Sequence, residues 1–435
     1  MSERERAFLL LRRIERESSY AALVLQHDAE RYGESRFIRS LVFTVLRWRS
    51  LLDHVTATLA ERRVEKLDPA VVEVLRLGIA QIMFMDVAPW AAVSETVDLA
   101  GRYAKRARGL VNAILRRASS AGLEAMIPQG FSARDIAIRN SHPEWLITRW
   151  MAFYGTERTA AIARANQQLS YPDLLLNTSR SMDDVRARLA NIEHAPSPFL
   201  DEMVRLHGSV APLADAIASG WFYPMDEGSA VVAAIAANAA NATNPASGDS
   251  TLLDLAAAPG GKSLAAVLRS VRVISNDLSI GRLRTLRSSH EAMFGSAARL
   301  VVSDVCNPPF RQRAGTVLLD APCSATGTFR KNPEIKWRLR KKDLDAMASR
   351  QKEMLASALA LDSDCVVYST CSLEREENDD VVAATLGRCP GLERADIADY
   401  APPTVRPWID SGALRLTPDS GTDGFTAFIL KRRQL

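Results

Sequence analysis

The chain has 435 residues, of which 47% are hydrophobic and 24% are charged. This is the balance of an ordinary globular protein, so a disordered or fibrous chain is excluded, and the length suggests about three domains. The longest apolar run, residues 230–237, is far shorter than the roughly 20 residues of a membrane helix. Five cysteines without a CxxC pair predict neither a disulfide framework nor a zinc site. We therefore expect a cytoplasmic protein with reduced thiols, no membrane segment and no metal.

The first part of the chain, residues 1–130, is predicted to be a helical domain. Asp68 and Pro69 form a helix start, with Asp as the N-cap and Pro at the first helical position. The sequence that follows, VVEVLRLGIAQIMF, repeats apolar residues at helical spacing, and GLVNAILRR (residues 109–117) does the same. A basic cluster precedes that second segment: Arg102, Lys105, Arg106 and Arg108.

Residues 131–225 are predicted to be a small α/β connector. Pro128 and Gly130 interrupt the helical pattern, and a capping box from Ser141 to Glu144 predicts the next helix. Beyond it we expect a strand at residues 173–177, a helix from Met182 and a proline loop at residues 194–198.

Residues 226–435 predict a doubly wound α/β domain of the Rossmann-like kind. An Ala-rich helix from Gly228 to about Asn241 is followed by a polar loop, NATNPASGDS. Short apolar strands then alternate with helices, at residues 251–255, 271–276, 299–303, 316–319, 365–369 and 425–430. Such strands favour a parallel sheet covered on both faces, which binds ligands beyond the carboxyl ends of its strands.

Acidic residues end the first four of these strands: Asp254, Asp277, Asp304 and Asp320. The first strand runs into a glycine turn, DLAAAPGGKS (residues 254–263). A phosphate-binding P-loop is excluded there because position 256 is Ala and Pro259 lacks an N–H donor. An adenosine-type ligand fits better, since an acid about 20 residues after the turn suits a ribose. Asp304 is then placed to receive a base amino group.

The fourth and fifth strands each end in a cysteine. The fourth runs into DAPCSATGT (residues 320–328) and the fifth into YSTCS (residues 368–372), so neighbouring strands would bring Cys323 and Cys371 together. The other three cysteines are expected to be small core residues. The tetrapeptide NPPF at residues 307–310 is typical of amino-group methyltransferases, but it follows the third strand here, so we interpret it as a loop.

A basic segment, TFRKNPEIKWRLRKK (residues 328–342), carries seven basic residues and one acid. A run of charged residues usually forms a solvent-exposed surface without further function. This run also contains Phe329, Trp337 and a proline, and a nucleic-acid groove uses both charge and stacking surfaces. We therefore predict that its cations contact nucleic-acid phosphates, with these residues as candidates: Arg330, Lys331, Lys336 and Arg338.

Taken together, DLAAAPGGK, VISND, DAPCSATGT with RKNPEIKW, and YSTCSLEREEN resemble the RsmB-type (Sun-family) RNA cytosine-5 methyltransferases, which carry a NusB-like helical RNA-binding domain. The resemblance implies S-adenosylmethionine as methyl donor, wrapped by one run of residues: Ala256, Ala257, Ala258, Pro259, Gly260, Gly261 and Lys262. It also implies that Asp277 takes the ribose, Asp304 the adenine, and that Asp320 lies by the methionine end and the target base. Cys371 is the implied nucleophile, and Cys323 is implied to help resolve the intermediate.

The implied reaction is methylation of carbon 5 of a cytosine in RNA, with small-subunit ribosomal RNA as the first candidate and a monomeric enzyme. Ala256 departs from the cysteine that RsmB-type members often carry there, which is neutral for catalysis. Three alternatives stay open. The same chemistry would serve transfer RNA, a DNA-type enzyme would use Cys323 as nucleophile after Pro322, and a scaffold would bind RNA without catalysis.

Overall fold

The computed structural model describes residues 1–243, 250–311 and 313–433 of the chain. Most of the polar loop NATNPASGDS lies outside these described residues. The chain forms two compact units. The helical unit comprises residues 1–168 and 329–339, and the α/β unit comprises residues 169–328 and 340–435.

Within the described residues, nine helices form most of the helical unit: α1 (Glu3–Glu17), α2 (Ala21–Tyr32), α3 (Arg36–Ala60), α4 (Pro69–Phe84), α5 (Pro89–Tyr103), α6 (Arg108–Ser120), α7 (Ala133–Arg139), α8 (Glu144–Tyr154) and α9 (Thr156–Ala165). The predicted start of α4 is confirmed, since the Asp68 carboxylate accepts a hydrogen bond from Ala70 N at 2.8 Å and Pro69 opens the helix. Helix α3 buries Ile38, Leu41 and Val45 on one face, at the spacing of an amphipathic helix.

The capping box predicted at Ser141 is wrong. Ser141 has a left-handed backbone, at φ 49°, and its Oγ accepts a hydrogen bond from Ser50 N at 2.9 Å. Helix α8 begins at Glu144, and Pro143 before it has no side chain that can cap the helix. The capping box of this region lies one helix earlier, where Ser132 and Asp135 cap α7.

A four-stranded antiparallel sheet opens the α/β unit. Its strands are β1 (Asp173–Leu176), β2 (His194–Pro196), β3 (Met203–Leu206) and β4 (Phe222–Pro224), in the order β2-β3-β1-β4. Helices α10 (Met182–Leu189) and α11 (Ala214–Ala218) connect them. The predicted strand at 173–177 and helix from Met182 are confirmed. The loop predicted at residues 194–198 instead begins with β2, because proline is tolerated in an edge strand.

The second sheet of the α/β unit carries the remaining strands: β5 (Thr251–Asp254), β6 (Arg272–Asp277), β7 (Arg299–Val302), β8 (Ala314–Asp320), β9 (Ser363–Thr370), β10 (Leu392–Ala395), β11 (Ile409–Asp410), β12 (Ala413–Leu416) and β13 (Phe425–Arg432). The helices over this part of the chain are α12 (Glu227–Thr243), α13 (Gly261–Leu268), α14 (Ile280–Phe294), α15 (Ile335–Arg338), α16 (Lys341–Ala360) and α17 (Asp379–Leu386). Of these, α15 lies in the segment that belongs to the helical unit.

This sheet has the predicted doubly wound core with an antiparallel extension. Its order is β11-β12-β13-β9-β8-β5-β6-β7, and β10 pairs with β13. Strands β7, β6, β5, β8 and β9 are parallel, whereas β13 and the strands beyond it are antiparallel. The six predicted strands are confirmed, and the sheet is mixed rather than wholly parallel. The order reverses between β5 and β8, where sheets of this kind bind their ligands.

The helix α12 is part of the core of this unit. Its apolar residues from Ala230 to Ala237 are all buried, which explains the absence of a polar face in its sequence. Of the described helices, none is long and apolar enough to cross a membrane.

Candidate active site

The two cysteines predicted to meet are in contact. Strands β8 and β9 are parallel neighbours, with Asp320 opposite Ser369, and each strand carries its cysteine just past its end. The Sγ atoms of Cys323 and Cys371 lie 3.2 Å apart. A backbone hydrogen bond from Gly327 N to Cys371 O, at 2.9 Å, joins the loop after β8 to the turn after β9. The two thiols are therefore close enough to hydrogen-bond to each other.

Cys323 is held in its protonated form. Its hydrogen bond with Cys371 raises the pKa of the Cys323 thiol well above the ordinary value, and burial and the negative charge of Glu377 add to the effect. A protonated thiol is a hydrogen-bond donor, so Cys323 can donate its S–H to the sulfur of Cys371.

Asp320 lies beside the cysteines in a hydrogen-bonded group. Its Oδ2 accepts from Lys262 Nζ at 2.7 Å, and its Oδ1 accepts from Ser369 Oγ at 2.7 Å. Burial lowers the pKa of Lys262, but the attraction of Asp320 outweighs it, so that pKa lies above its usual value. Lys262 is therefore positively charged, and its ammonium group is close enough to Cys371 for a direct electrostatic interaction.

The glycine turn after β5 forms a tight backbone bend. Ala258 N donates to the Oδ2 of Asp277 at 3.1 Å, and Ala257 N donates to Asn276 O at 2.8 Å, so the turn is tied to the end of β6. Gly260 has φ +122°, and a Cβ there would lie 2.7 Å from Cγ of Leu286. Only glycine permits this backbone, and the turn leads directly into the N-terminus of α13.

The strand-end carboxylates have different environments. Asp277 is buried and also accepts from Ser279 N at 2.9 Å, whereas Asp304 is exposed and accepts from Cys306 N at 2.9 Å. Asp254 is 1% exposed and accepts from Ser263 Oγ at 2.7 Å. Burial raises the pKa of Asp254 to about 7. Asp254 is therefore buried below the turn and bonded to the start of α13. Asp277 and Asp304 lie at the carboxyl ends of β6 and β7, at the same edge of the sheet.

The basic segment differs from the expectation of an exposed RNA-contacting run. Lys336 is 1% exposed, and its ammonium donates to the carbonyl oxygens of Arg47 at 3.0 Å and Ser141 at 2.8 Å. Arg330 is also buried, and its carbonyl oxygen accepts from Arg47 at 2.8 Å. Burial, with the nearby charge of Arg47, lowers the pKa of Lys336 well below its usual value. These two cations are therefore turned into the helical unit and away from solvent.

The other members of the segment are partly accessible. Arg338 donates to Ser18 O at 2.6 Å, and its guanidinium lies 4.4 Å from the ring centroid of Tyr20. Lys331 is half-buried. The ring of Phe329, expected as a stacking surface, is completely buried against Trp150 of α8. The aromatic residues of this segment anchor it within the helical unit, which sequence pattern alone does not distinguish from a nucleic-acid surface.

Comparison with known proteins identifies the family. The model for the 16S rRNA methyltransferase RsmB/F matches residues 240–431, the NusB family model matches residues 1–120, and a ferredoxin-like domain of RsmF/B-like methyltransferases matches residues 142–211. The ribosomal RNA small subunit methyltransferase B of Pseudomonas putida is 30% identical over 426 residues, covering 93% of this chain and 92% of that protein. The chain belongs to the RsmB/F methyltransferase family.

Other relatives agree with this membership. The probable ribosomal RNA small subunit methyltransferase B of Bacillus subtilis is 28% identical and covers 100% of this chain and 99% of its own length. Among solved structures, PH0851 matches with a TM-score of 0.76 at 22% identity, covering 99% of this chain and 98% of that one. NSun6 from Pyrococcus horikoshii matches with a TM-score of 0.54 at 19% identity, covering 67% and 99%. These structural likenesses show the fold.

Membership of the RsmB/F family makes this chain an S-adenosylmethionine-dependent RNA methyltransferase. The turn after β5 fits that cofactor. Asp277 ends β6 at the distance from the turn that suits a ribose, and Lys262 at the start of α13 links the turn to Asp320. Among the described residues, no cluster of His, Cys, Asp or Glu side chains is arranged to hold a metal ion.

The sequence analysis did not single out the residues that connect the two cysteine loops. Glu377, Ser324, Ser372 and Gln351 form a buried hydrogen-bonded cluster directly behind the thiols. Three of them stand within the motifs DAPCSATGT and YSTCSLEREEN, so the signal was present. Their role depends on a contact between strands that lie far apart in the chain, and a motif does not reveal such a contact.

Proposed function

We propose that this enzyme methylates carbon 5 of a cytosine in RNA, with small-subunit ribosomal RNA as its substrate, through a covalent bond between Cys371 and the base. The observation that carries the proposal is the contact of the Cys323 and Cys371 thiols, 3.2 Å apart, beside the Lys262–Asp320 pair. A reaction that passes through a covalent adduct needs one nucleophile and a second group that helps to release it. The names of the Pseudomonas putida and Bacillus subtilis relatives support the choice of RNA.

The first step that we propose is attack by Cys371. Carbon 5 of cytosine is too electron-poor to accept a methyl cation directly, so its electron density must first be raised. Once Cys371 has lost its proton, the thiolate gives an electron pair to carbon 6 and a carbon–sulfur bond forms. The electron pair of the carbon 5–carbon 6 double bond is pushed away from carbon 6, and carbon 5 becomes nucleophilic as part of an enamine.

Asp320 and Lys262 are proposed to manage charge at the base during this step. S-adenosylmethionine, when bound, would supply a methyl carbon on a positively charged sulfur. The enamine electron pair at carbon 5 would form the bond to that methyl carbon, and the methyl–sulfur bond would break with its electron pair left on the now neutral sulfur of the donor. Lys262 orients one carboxylate oxygen of Asp320, and Ser369 fixes the other. The carboxylate can accept a hydrogen bond from the amino group of the cytosine, and the positive charge of Lys262 beside it opposes the negative charge that develops on the ring.

Release completes the proposed cycle. The proton on carbon 5 leaves to a base, its electron pair re-forms the carbon 5–carbon 6 double bond, and the carbon–sulfur bond to Cys371 breaks. The departing Cys371 sulfur becomes a thiolate. Cys323 is placed to donate its S–H to that sulfur across 3.2 Å, which would make Cys371 a better leaving group.

RNA binding is proposed for exposed cations of the helical unit, since two cations of the basic segment are buried. Lys105, Arg106 and Arg116 are exposed on or before α6. Each cation that contacts a phosphate releases counterions from the nucleic acid, so such contacts give affinity that depends on salt.

The test is methyl transfer to defined nucleic acids. The wild-type protein and Cys371→Ala would be incubated with a methyl-labelled donor and, separately, with small-subunit ribosomal RNA, transfer RNA and duplex DNA. We expect label in ribosomal RNA with the wild type only, and bisulfite sequencing should place it on a cytosine. Label in transfer RNA or DNA alone would contradict the substrate, label that resists bisulfite mapping would contradict the position, and no label anywhere would favour a non-catalytic scaffold.

A further inference from the structure

The carboxylate of Glu377 is buried between the two cysteine loops. Glu377 lies in the turn between β9 and α17, and its side chain is completely inaccessible to solvent. The carboxylate accepts hydrogen bonds from the backbone N of Ser324 at 2.8 Å, from Ser324 Oγ, from Ser372 Oγ and from Gln351 Nε2 at 3.1 Å. One side chain thus receives four hydrogen bonds from three separate elements of the α/β unit.

These bonds reach the residue that immediately follows each cysteine. Ser324 follows Cys323, and Ser372 follows Cys371. The hydroxyl oxygens of the two serines are also 3.1 Å apart. Since a single peptide unit separates each serine from its cysteine, the carboxylate of Glu377 fixes the distance between the two loops and therefore between the two thiols.

Each cysteine is also held from its other side. Gln351 of α16 donates to Pro322 O at 2.9 Å as well as to Glu377, so the backbone on both sides of Cys323 is tied to this cluster. Asn378 accepts from Thr370 Oγ1 at 2.7 Å and donates to Ser372 O at 2.9 Å. The residues on both sides of Cys371 are therefore tied to Asn378. The carboxylate of Glu377 bonds to both loops directly, in addition to the hydrogen bond from Gly327 N to Cys371 O that joins them.

Hydrogen bonds, rather than an ion pair, compensate the charge of Glu377. Within the described part of the chain, no Lys, Arg or His forms an ion pair with this carboxylate, and its partners are the amide and hydroxyl donors above. A buried carboxylate is costly, and an amide or apolar residue would fill the same space at a lower cost. A negative charge placed behind a pair of thiols acts strongly on their ionisation because the surroundings have a low dielectric constant.

We propose that Glu377 is a positioning residue, whose carboxylate holds the two cysteine loops together and so sets the separation of the two thiols. Its negative charge adds to the effects that raise the pKa of the Cys323 thiol. The proposal rests on the proposed function only in that it treats these cysteines as the reacting pair. It assigns Glu377 no contact with substrate or cofactor.

The direction of the charge effect follows from the surroundings of Cys323. The hydrogen bond with Cys371 and burial raise the pKa of the Cys323 thiol, and Glu377 adds to this because a Cys323 thiolate would be a second negative charge nearby. Among the described residues, the other charged or titratable groups around Cys323 are Cys371 just after β9, Tyr368 of β9, Asp320 of β8 and Lys262 of α13. Replacing Glu377 with Gln leaves all of these unchanged and removes one negative charge, so the pKa of Cys323 should fall.

The first experiment measures that pKa without RNA. In a Cys371→Ala background, the rate at which iodoacetamide alkylates Cys323 would be followed against pH, with the Cys323 peptide read by mass spectrometry. We expect Glu377→Gln to lower the pH midpoint by about one unit, which is about a tenfold higher thiolate fraction at a given pH below the midpoint. The matched control is Asp380→Asn, which removes an exposed carboxylate of α17 that pairs with Arg375. It should leave the midpoint unchanged.

A merely structural role gives a different result in the same experiment. Loosened packing would make Cys323 react faster at every pH without moving the midpoint, and that outcome would overturn the role of the charge. Unchanged affinity for S-adenosylmethionine checks that the variant is folded. Ser324→Ala serves as a second variant, because it removes a hydroxyl bond to Glu377 and keeps the charge. It should leave the midpoint of Cys323 within a few tenths of a unit.

The second experiment measures the separation of the thiols. Diamide, a thiol oxidant, would be added to the otherwise unmodified chain, and the rate of formation of a disulfide between Cys323 and Cys371 would be followed by peptide mapping. We expect Glu377→Ala to slow this cross-link at least tenfold relative to Asp380→Asn, because the loops lose their common attachment. Cross-linking at the control rate would overturn the positioning role. If Glu377→Ala fails to fold, the Ser324→Ala, Ser372→Ala pair tests the same attachment.

Enzyme kinetics separate this proposal from the proposed function. Glu377→Gln should lower kcat for RNA methylation at least tenfold and leave KM for RNA within about twofold, since no RNA contact is removed. If the wild type transfers no methyl group to any RNA, the proposed function fails while the titration and cross-linking results stand. If the wild type is active and Glu377→Gln matches it in kcat, the role of Glu377 fails and the proposed function stands.

Discussion

Replacing Lys336 with methionine tests whether the basic segment is an anchor within the helical unit or an RNA-binding surface. The ammonium of Lys336 donates to two buried carbonyl oxygens, at 3.0 Å on Arg47 and 2.8 Å on Ser141. Hydrogen bonds from a charged donor contribute about 1.5–3 kcal/mol each, and the buried acceptors would lose this partner. Methionine has a similar volume and removes the cost of burying the charge, a cost that is evident in the lowered pKa of Lys336. We therefore expect a net loss of about 2 kcal/mol in the stability of the helical unit.

Hydrogen exchange measured on peptides from α3 and α8 is the appropriate assay, because it reports the opening of this unit by itself. A loss of about 2 kcal/mol corresponds to roughly 30-fold faster exchange through the same opening. The control is Lys342→Met, an exposed residue at the end of the same basic run. It should not change the exchange rates. Unchanged exchange in Lys336→Met, together with a flatter dependence of RNA affinity on salt, would refute the anchor and restore the RNA-contacting interpretation.

Three further predictions concern Asp277 beside the turn that is proposed to bind the cofactor, the buried carboxylate of Asp254, and the exposed cations that are proposed to bind RNA. Asp277→Ala should weaken S-adenosylmethionine binding at least tenfold in calorimetry, because a charge-assisted hydrogen bond contributes roughly 1.5–3 kcal/mol, and unchanged affinity would exclude the ribose contact. Burial raises the pKa of Asp254 in the folded protein to about 7, so its contribution to the free energy of unfolding is fully present below about pH 4 and is lost as the pH rises through 7. The melting temperature of Asp254→Asn minus that of the wild type should therefore increase between pH 5 and pH 8. A difference that does not change with pH would contradict the raised pKa. The Lys105→Ala, Arg106→Ala double variant should reduce the slope of log RNA affinity against log salt by about 0.7–0.9 for each phosphate that these cations neutralise, and an identical slope would show that this exposed cluster does not bind RNA.

The sheet was predictable because its signals are local. Short Val- and Leu-rich strands, the first five of which end in an acid or a cysteine, predicted the six main strands and the neighbouring positions of Cys323 and Cys371. The start of α4 followed from Asp68 and Pro69 for the same reason. Strands such as β2 and β4 have three residues each, which is too short for the alternation of apolar and polar residues to be recognised.

The unpredicted features depend on contacts between distant parts of the chain. The burial of Lys336 requires the carbonyl oxygens of Arg47 and Ser141, which are far away in the sequence, so a count of charges favoured an exposed surface. The capping box at Ser141 failed because Ser50 N takes the hydroxyl that would have capped the helix. Glu377 is one of several acids in the run EREEN, and only the folded chain distinguishes it from its neighbours.

The roles of the two cysteines are tested most directly by trapping the protein–RNA adduct on denaturing gels. Wild type, Cys371→Ala and Cys323→Ala would be incubated with labelled RNA and the methyl donor and then denatured. We expect no adduct for Cys371→Ala, because no thiolate can attack carbon 6. We expect a persistent adduct for Cys323→Ala, because release of the base from Cys371 is impaired after attack. An adduct in Cys371→Ala with none in Cys323→Ala would contradict the proposed role of Cys371 and identify Cys323 as the nucleophile.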